Sequence, residues 1–376
     1  WQPLTTCCKG DLKLTRLNDL FEKEGQSPWL DNLRRDWLDS GELADWVVKG
    51  VRGVTSNPSI FEKAMADTDD YDHEFRELIA HGKDVTECYW DLVVSDILGA
   101  LEVLKPIYDS SKGTDGFVSV EVDPRLARDT SGTLDSARSL HKRINKPNVL
   151  IKIPATRESI PAVQTMISEG RSVNVTLIFS LSRYAEVMEA YISGLENFSG
   201  DLSKVSSVAS FFISRTDTEV DKRLDGIGSQ RAADLKGRAA VALGQAAYSL
   251  FKETFSGPRW EALESRGARV QRPLWASTST KNPSYVDTLY VDTLIGPHTV
   301  NTLPNNTIEA FEDRGTVART VDANSSEAER ILSEISSLGI DLEEVGDVLE
   351  TEGIDSFIVS FENLIESLSI KACSFQ

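Results

Sequence analysis

The sequence predicts an α/β fold built as a single (β/α)8 barrel, with further helices at the C-terminal end. Three observations lead there. Short apolar runs of strand length alternate with longer stretches of helical periodicity, which implies parallel strands joined by helical crossovers. About eight strand–helix units can be counted along the chain. No glycine-rich dinucleotide fingerprint follows the first strand-like run, which favours a closed barrel over a doubly wound sheet.

Taken in order, a weak first strand falls near Pro28–Leu33 and a clearer one at Val51–Ser56, just before the Asn57-Pro58 turn signal. Helical spacing follows at Tyr71–His81 and Val85–Tyr108, then a strand at Phe117–Val122. Val149–Ile153, Ser172–Phe179 and Val205–Ser214 are dense in β-branched and apolar residues, with a helix expected at Arg183–Leu195 between the last two. A helix at Asp234–Phe255 leads to strands at Pro273–Thr278 and Leu289–Leu294. Residues 300–376 read as mainly helical, and Phe357, Phe361, Leu364 and Leu368 recur at helical spacing. That pattern predicts helices packed on the outside of the barrel; the alternative is a helix closing over the substrate or forming an oligomer contact. Residues 1–376 are expected to form one domain, with 1–11 poorly ordered.

The bulk numbers narrow the function classes. The 376-residue chain carries a net charge of −19, which argues against a nucleic-acid or anionic-membrane surface. An acidic protein that takes a phosphorylated substrate must place its cations locally. No apolar run approaches the roughly 20 residues needed to span a bilayer. Cys7, Cys8, Cys88 and Cys373 have no zinc-site spacing and read as free thiols in a reducing compartment. His73, His81, His141 and His298 form no local metal cluster. The chain starts at Trp1 rather than Met, which reads as a mature or trimmed form.

Lys152 is the most informative residue. It stands within Val149-Leu-Ile-Lys-Ile-Pro-Ala-Thr156, an apolar strand. Burial disfavours an ammonium, and a lysine tuned this way can be a nucleophile that forms a Schiff base with a carbonyl. Alone, such a lysine more often snorkels its head to solvent. Parity supplies the context, because strand side chains alternate faces. Ser119 and Glu121 oppose three valines, Asn174 and Thr176 oppose Val173, Val175 and Leu177, and Ser210 shares a face with Phe212. In a barrel the β-branched faces turn outward to the helices. Lys152, Glu121, Asn174, Thr176 and Ser210 then point inward, late in their strands, near the C-terminal mouth where barrel active sites form.

Several longer motifs now resemble one family. Gly53-Val-Thr-Ser-Asn-Pro-Ser-Ile-Phe61 is similar to the transaldolase N-terminal signature, and Val149–Thr156 to the signature that carries the Schiff-base lysine. Ser172–Ser180, Ser210–Arg215 and Leu274–Asn282 also match, in family order, and the resemblance runs from about residue 12 to near the C-terminus. Leu294-Ile-Gly-Pro297 and the longer C-terminal part look most like the plant, cyanobacterial and actinobacterial branch. The resemblance implies a class I aldolase-type barrel with no metal or organic cofactor. It would transfer a dihydroxyacetone unit from sedoheptulose 7-phosphate or fructose 6-phosphate to glyceraldehyde 3-phosphate or erythrose 4-phosphate. Sugar phosphates are the implied partners, with no nucleic acid and no membrane, in a monomer or homodimer.

By the same resemblance Lys152 forms the imine and Asp31 is the acid/base that takes the C4 hydroxyl proton. Glu121 and Thr176 hold the water that relays protons. Asn57, Asn174 and Ser210 bind hydroxyls of the retained three-carbon unit, and Thr55 supports the same wall. Arg215, Ser277 and Lys281 bind phosphate. The better-known bacterial branch has an arginine near Lys281, so here a point charge stands where a planar fork is usual. The nearest rival on the same fold is a fructose 6-phosphate aldolase, whose members tend to carry glutamine at the Glu121 position and tyrosine at the Phe212 position. A silent sugar-phosphate binding protein would need no Lys152–Glu121–Thr176 set. The branch and the missing start methionine point to the chloroplast stroma, with the cytoplasm as the alternative.

Overall fold

The computed structural model describes residues 15–66 and 68–375. Eight strands close into one parallel barrel in sequential order: β1 (Gln26–Leu30), β2 (Val54–Thr55), β3 (Val118–Glu121), β4 (Val149–Pro154), β5 (Val173–Ile178), β6 (Ser207–Phe212), β7 (Arg272–Ala276) and β8 (Thr299–Leu303). The seam is the β1–β8 ladder, which runs from Gln26↔Thr299 to Leu30↔Leu303. Closure leaves no unpaired edge.

Seven strands fall where the sequence predicts them, with β1 and β2 trimmed or shifted by a few residues. The eighth does not. Leu289–Leu294 is no strand: Leu289–Asp292 is a short helix, and the true β8 follows Gly296-Pro297-His298. A short apolar run cannot be told from a buried helical turn by periodicity. Here Tyr290 and Val291 turn into the core, and the Tyr290 hydroxyl donates to Asp217 at 2.8 Å. The real strand, Thr-Val-Asn-Thr-Leu, has too many polar residues to stand out. The helical C-terminal part accordingly begins after residue 303, with helices at Asn305–Arg314, Ser325–Ser337 and Leu342–Cys373. No described helix is long and apolar enough to cross a membrane. Cys88 and Cys373 are free thiols. The expectations for residues 1–11, Cys7 and Cys8 included, lie outside the described residues.

Two apolar clusters follow from strand alternation. The larger packs outward-facing residues such as Val118, Val120, Ile151, Ile153, Val173 and Val175 against the surrounding helices. The smaller fills the barrel with inward residues, among them Trp29, Leu150, Val208, Phe212, Leu274 and Val300. β5 breaks the alternation. Its pairing with β6 shifts register between Val175 and Ile178, and Leu177 sits at φ 60°. The bulge brings Leu177 and Phe179 into the inner cluster, where strict alternation would leave them on the outer face.

The end of the barrel away from the mouth is tied by one carboxylate. Asp115, fully buried ahead of β3, accepts from Trp29 Nε1 at 2.9 Å and Arg52 Nε at 2.9 Å, and also from the Ser27 hydroxyl. Arg272 Nη2 lies 3.6 Å from its other oxygen. These contacts join β1, β3, β7 and the approach to β2. Asp115→Ala would leave two guanidiniums without their carboxylate, and should lower the free energy of unfolding by about 3 kcal/mol. Urea denaturation followed by tryptophan fluorescence checks this; an unchanged midpoint would mean the node is not structural.

Candidate active site

The C-terminal mouth of the barrel opens into a cavity of about 300 Å³. Its wall carries ten of the twelve sequence-predicted site residues: Asp31, Thr55, Asn57, Lys152, Thr176, Ser210, Phe212, Arg215, Ser277 and Lys281. The other two, Glu121 and Asn174, lie next to the wall. Lys152, Thr176 and Ser210 lie late in their strands and reach the wall, so the parity argument holds for β4, for β6, and for β5 as far as Thr176.

Lys152 is buried at 4% exposure, so its amino group meets only chosen partners. Its Nζ lies 3.2 Å from Glu121 Oε2 on the neighbouring strand and donates to the Ser56 carbonyl at 3.2 Å. The register Glu121↔Lys152↔Asn174 sets these residues side by side across β3, β4 and β5. Glu121 is close to Lys152, but neither of its oxygens has a well-directed hydrogen bond from a described group, and neither does the Thr176 hydroxyl. Buried polar atoms of this kind call for a hydrogen-bonding guest. Burial is the main influence on Glu121 and raises its pKa, against the lowering effect of Lys152.

Asp31 follows β1 directly, its backbone N–H still bonded to Leu303 at 2.9 Å. It is therefore no surface carboxylate at a helix start. Thr55 Oγ1 donates to Asp31 Oδ1 at 2.8 Å and lies 2.6 Å from Thr302 Oγ1. Burial raises the Asp31 pKa, opposed by Lys152, by the Thr55 hydrogen bond, and by Lys281 and Lys63.

Asn174 lies beside the cavity wall, paired in register with Lys152. It accepts from Ser210 Oγ at 2.7 Å and donates to Ser119 Oγ at 3.0 Å, so it orients Ser210. Asn57 caps the helix Pro58–Ala66, its Oδ1 accepting from the Ile60 N–H at 3.0 Å. Turn residue and wall residue are thus one role for Asn57.

The cations gather at the other side. Arg215 opens the helix Ser214–Ile227 and stacks 5.4 Å from the Phe212 ring. Burial works against its charge. Lys281 reaches solvent at the rim, yet partial enclosure, then Arg215 and Lys63, hold its amine below the usual range. Ser277, between them, has φ 56°, and its hydroxyl lies 2.9 Å from that of Ser214. A non-glycine residue held there is strained, and such strain gathers at functional sites.

Sequence reasoning missed several wall residues, among them Ser59, Lys63, Ser279, Thr302 and Phe357. Thr302 was hidden by the misplaced eighth strand. Lys63 could have been found, being on the helix that Asn57 caps. Phe357 reads as ordinary core on its helical stripe, but the helix Leu342–Cys373 crosses the barrel mouth. Its Gly346 and Gly353 come so close that a Cβ would stand 2.8 Å from Ser180 and 3.0 Å from Leu177. The Phe357 ring then lies 5.8 Å from Lys152 Nζ. Of the two alternatives for this segment, the structure brings the helix over the cavity.

Comparison with known proteins gives the family. The chain matches the model of the family described as Transaldolase/Fructose-6-phosphate aldolase over residues 28–368. It is 49% identical over 348 residues to a protein named transaldolase from Mycobacterium tuberculosis, covering 91% of this chain and 93% of that one. Transaldolases from Mycolicibacterium paratuberculosis and Mycobacterium marinum are each 49% identical as well, covering 91% of this chain and 93% and 94% of theirs.

The Asp31 environment makes its own prediction. On acidification its carboxyl should take up a proton above the ordinary value of 3.8. Carbon-13 NMR, assigned with Asp31→Asn, reads that titration; a midpoint at or below 3.8 would contradict the desolvation described.

Proposed function

This chain belongs to the transaldolase/fructose-6-phosphate aldolase family, and we propose that its Lys152 carries a dihydroxyacetone unit between sugar phosphates. It is an enzyme of the transaldolase type. The observation that carries the reading is the buried Lys152 amine at the floor of a polar cavity, with carboxylates at two positions around it and cations at the rim.

In the proposed reaction the Lys152 amine adds to the C2 carbonyl of the ketose phosphate. The carbinolamine then loses its hydroxyl as water and becomes an imine. Glu121 and Thr176 hold that water and pass the protons, a role suited to buried oxygens that lack protein donors. Asp31 takes the C4 hydroxyl proton. The C3–C4 bond breaks, its electron pair moves into the imine, and the aldose phosphate departs. The resulting eneamine attacks the aldehyde carbon of the acceptor, and Asp31 returns the proton to the new hydroxyl. Hydrolysis frees Lys152. Asn57 and Ser210, with Asn174 behind Ser210, hold the retained hydroxyls. Arg215, Ser277 and Lys281 hold the phosphate. Donors of six or seven carbons and acceptors of three or four fit this scheme, in the non-oxidative pentose phosphate pathway.

Transfer rather than release is supported by what surrounds the imine. Glu121 and Phe212 are the transferase choices, and Phe357 adds a second apolar face beside Lys152. An eneamine kept from water survives until an acceptor arrives. The bacterial source of the relatives favours the cytoplasm over the chloroplast stroma that the branch resemblance suggested.

Incubation with fructose 6-phosphate and reduction by borohydride should leave a three-carbon adduct on Lys152, read by peptide mass spectrometry. Erythrose 4-phosphate added before reduction should discharge it. An adduct on another lysine would refute the assignment, and one that the acceptor cannot discharge would indicate a lyase. Phe357→Ala should still form the adduct but leak free dihydroxyacetone, with transfer down roughly tenfold, the equivalent of about 1.4 kcal/mol. Unchanged partition in a coupled assay would remove Phe357 from the argument.

A further inference from the structure

The rim of the cavity holds three cations, and the resemblance accounts for two. Arg215 and Lys281 stand in the expected phosphate positions; the third is Lys63. It lies on the helix Pro58–Ala66, whose residues Ser59, Ile60 and Lys63 recur on the cavity wall at helical spacing. Asn57 caps that helix at the same wall, so its positive end also faces the cavity. The same end of the helix touches the C-terminal helix: Ser59 Oγ lies 2.7 Å from Ser360 Oγ.

Most lysines and arginines of this acidic protein are paired. Among the described residues no carboxylate lies within 4.0 Å of the charged group of Lys63, Arg215 or Lys281. Three unpaired cations around one cavity, in a chain of net charge −19, are a costly arrangement without an anion to share. Asp31 makes no ion pair with any of the three, and Thr55 already donates to one of its oxygens. Position adds to this. Lys63 shares the cavity wall with Asp31, Arg215 and Lys281, and it is within electrostatic range of Asp31 and Lys281.

We propose that Lys63 is a substrate-binding residue that grips the terminal phosphate of the sugar together with Arg215 and Lys281. This rests on the imine reading above. It also supplies what a lone lysine lacks where a guanidinium fork is usual. A second point charge beside the Arg215 fork restricts a phosphate more than Lys281 alone would. An ammonium on a flexible stem can also follow a phosphate that moves outward by one carbon, from a six-carbon to a seven-carbon donor.

The test uses adduct formation on Lys152 with donor alone, which removes the phosphorylated acceptor from the experiment. Fructose 6-phosphate is compared with unphosphorylated fructose in the wild type, Lys63→Ala and Lys63→Arg. Lys63→Ala should need about fivefold more fructose 6-phosphate for half-maximal adduct, the scale of a solvent-open ion pair. Its behaviour with fructose should match the wild type, and Lys63→Arg should restore the phosphorylated donor. Equal weakening with both sugars would overturn the proposal, since it would mean that Lys63 acts through Asp31 or through the fold. No weakening with either would overturn it too. Failure of the parent reading would look different, since the wild type itself would then form no adduct on Lys152.

Discussion

Closure governs this molecule. Eight parallel strands joined edge to edge have no free margin, so no strand can slip by one residue without turning its whole apolar face the wrong way. The interior is therefore a stack of layers read from alternate residues. In β7 the column runs Arg272, Leu274, Ala276; in β6 it runs Val208, Ser210, Phe212; in β4 it runs Leu150, Lys152. A charged layer at one end, gathered on Asp115, gives way to an apolar plug and then to the polar layer of the mouth. The layer beneath Lys152 is apolar, and the node at the far end ties β1, β3 and β7 together.

Parity made much of this legible in the sequence. Lys152, Glu121, Thr176 and Ser210 are polar residues in otherwise apolar strands, and alternation alone sends them inward. What stayed hidden depends on contacts between distant parts of the chain. The eighth strand was misread because Leu289–Leu294 is more apolar than Thr299–Leu303, and local hydropathy cannot see that the first is a buried helical turn. The bulge at Leu177 changes which face its residues take, and nothing in Val-Asn-Val-Thr-Leu-Ile announces it. Asn174 has the parity expected of it, but its hydrogen bonds to Ser119 and Ser210 could not be read from the strand alone. Phe357 is far along the chain from Lys152, and only the crossing of the last helix brings it to the mouth.

The electrostatics reconcile two demands that pull apart. A chain of net charge −19 repels a dianionic sugar phosphate at long range. At physiological salt that field fades within about 8 Å, so the local cations decide the outcome. Arg215, Lys281 and Lys63 lie in a small, partly enclosed space, where each charge is less screened than on an open surface. The same enclosure raises Asp31 and Glu121, which makes them better proton acceptors than exposed carboxylates once ionised.

The helix Leu342–Cys373 also has a place in time. All eight strands are translated before it, so a nascent chain can close its barrel while the mouth is still uncovered. During that interval Lys152 lacks the aromatic face of Phe357, and Arg215 lacks the backbone of Gly353, whose added Cβ would lie 3.3 Å from its guanidinium. Imine chemistry begun then would meet bulk water. The aromatic cover over Lys152 is thus added last, by a segment that is not part of the barrel.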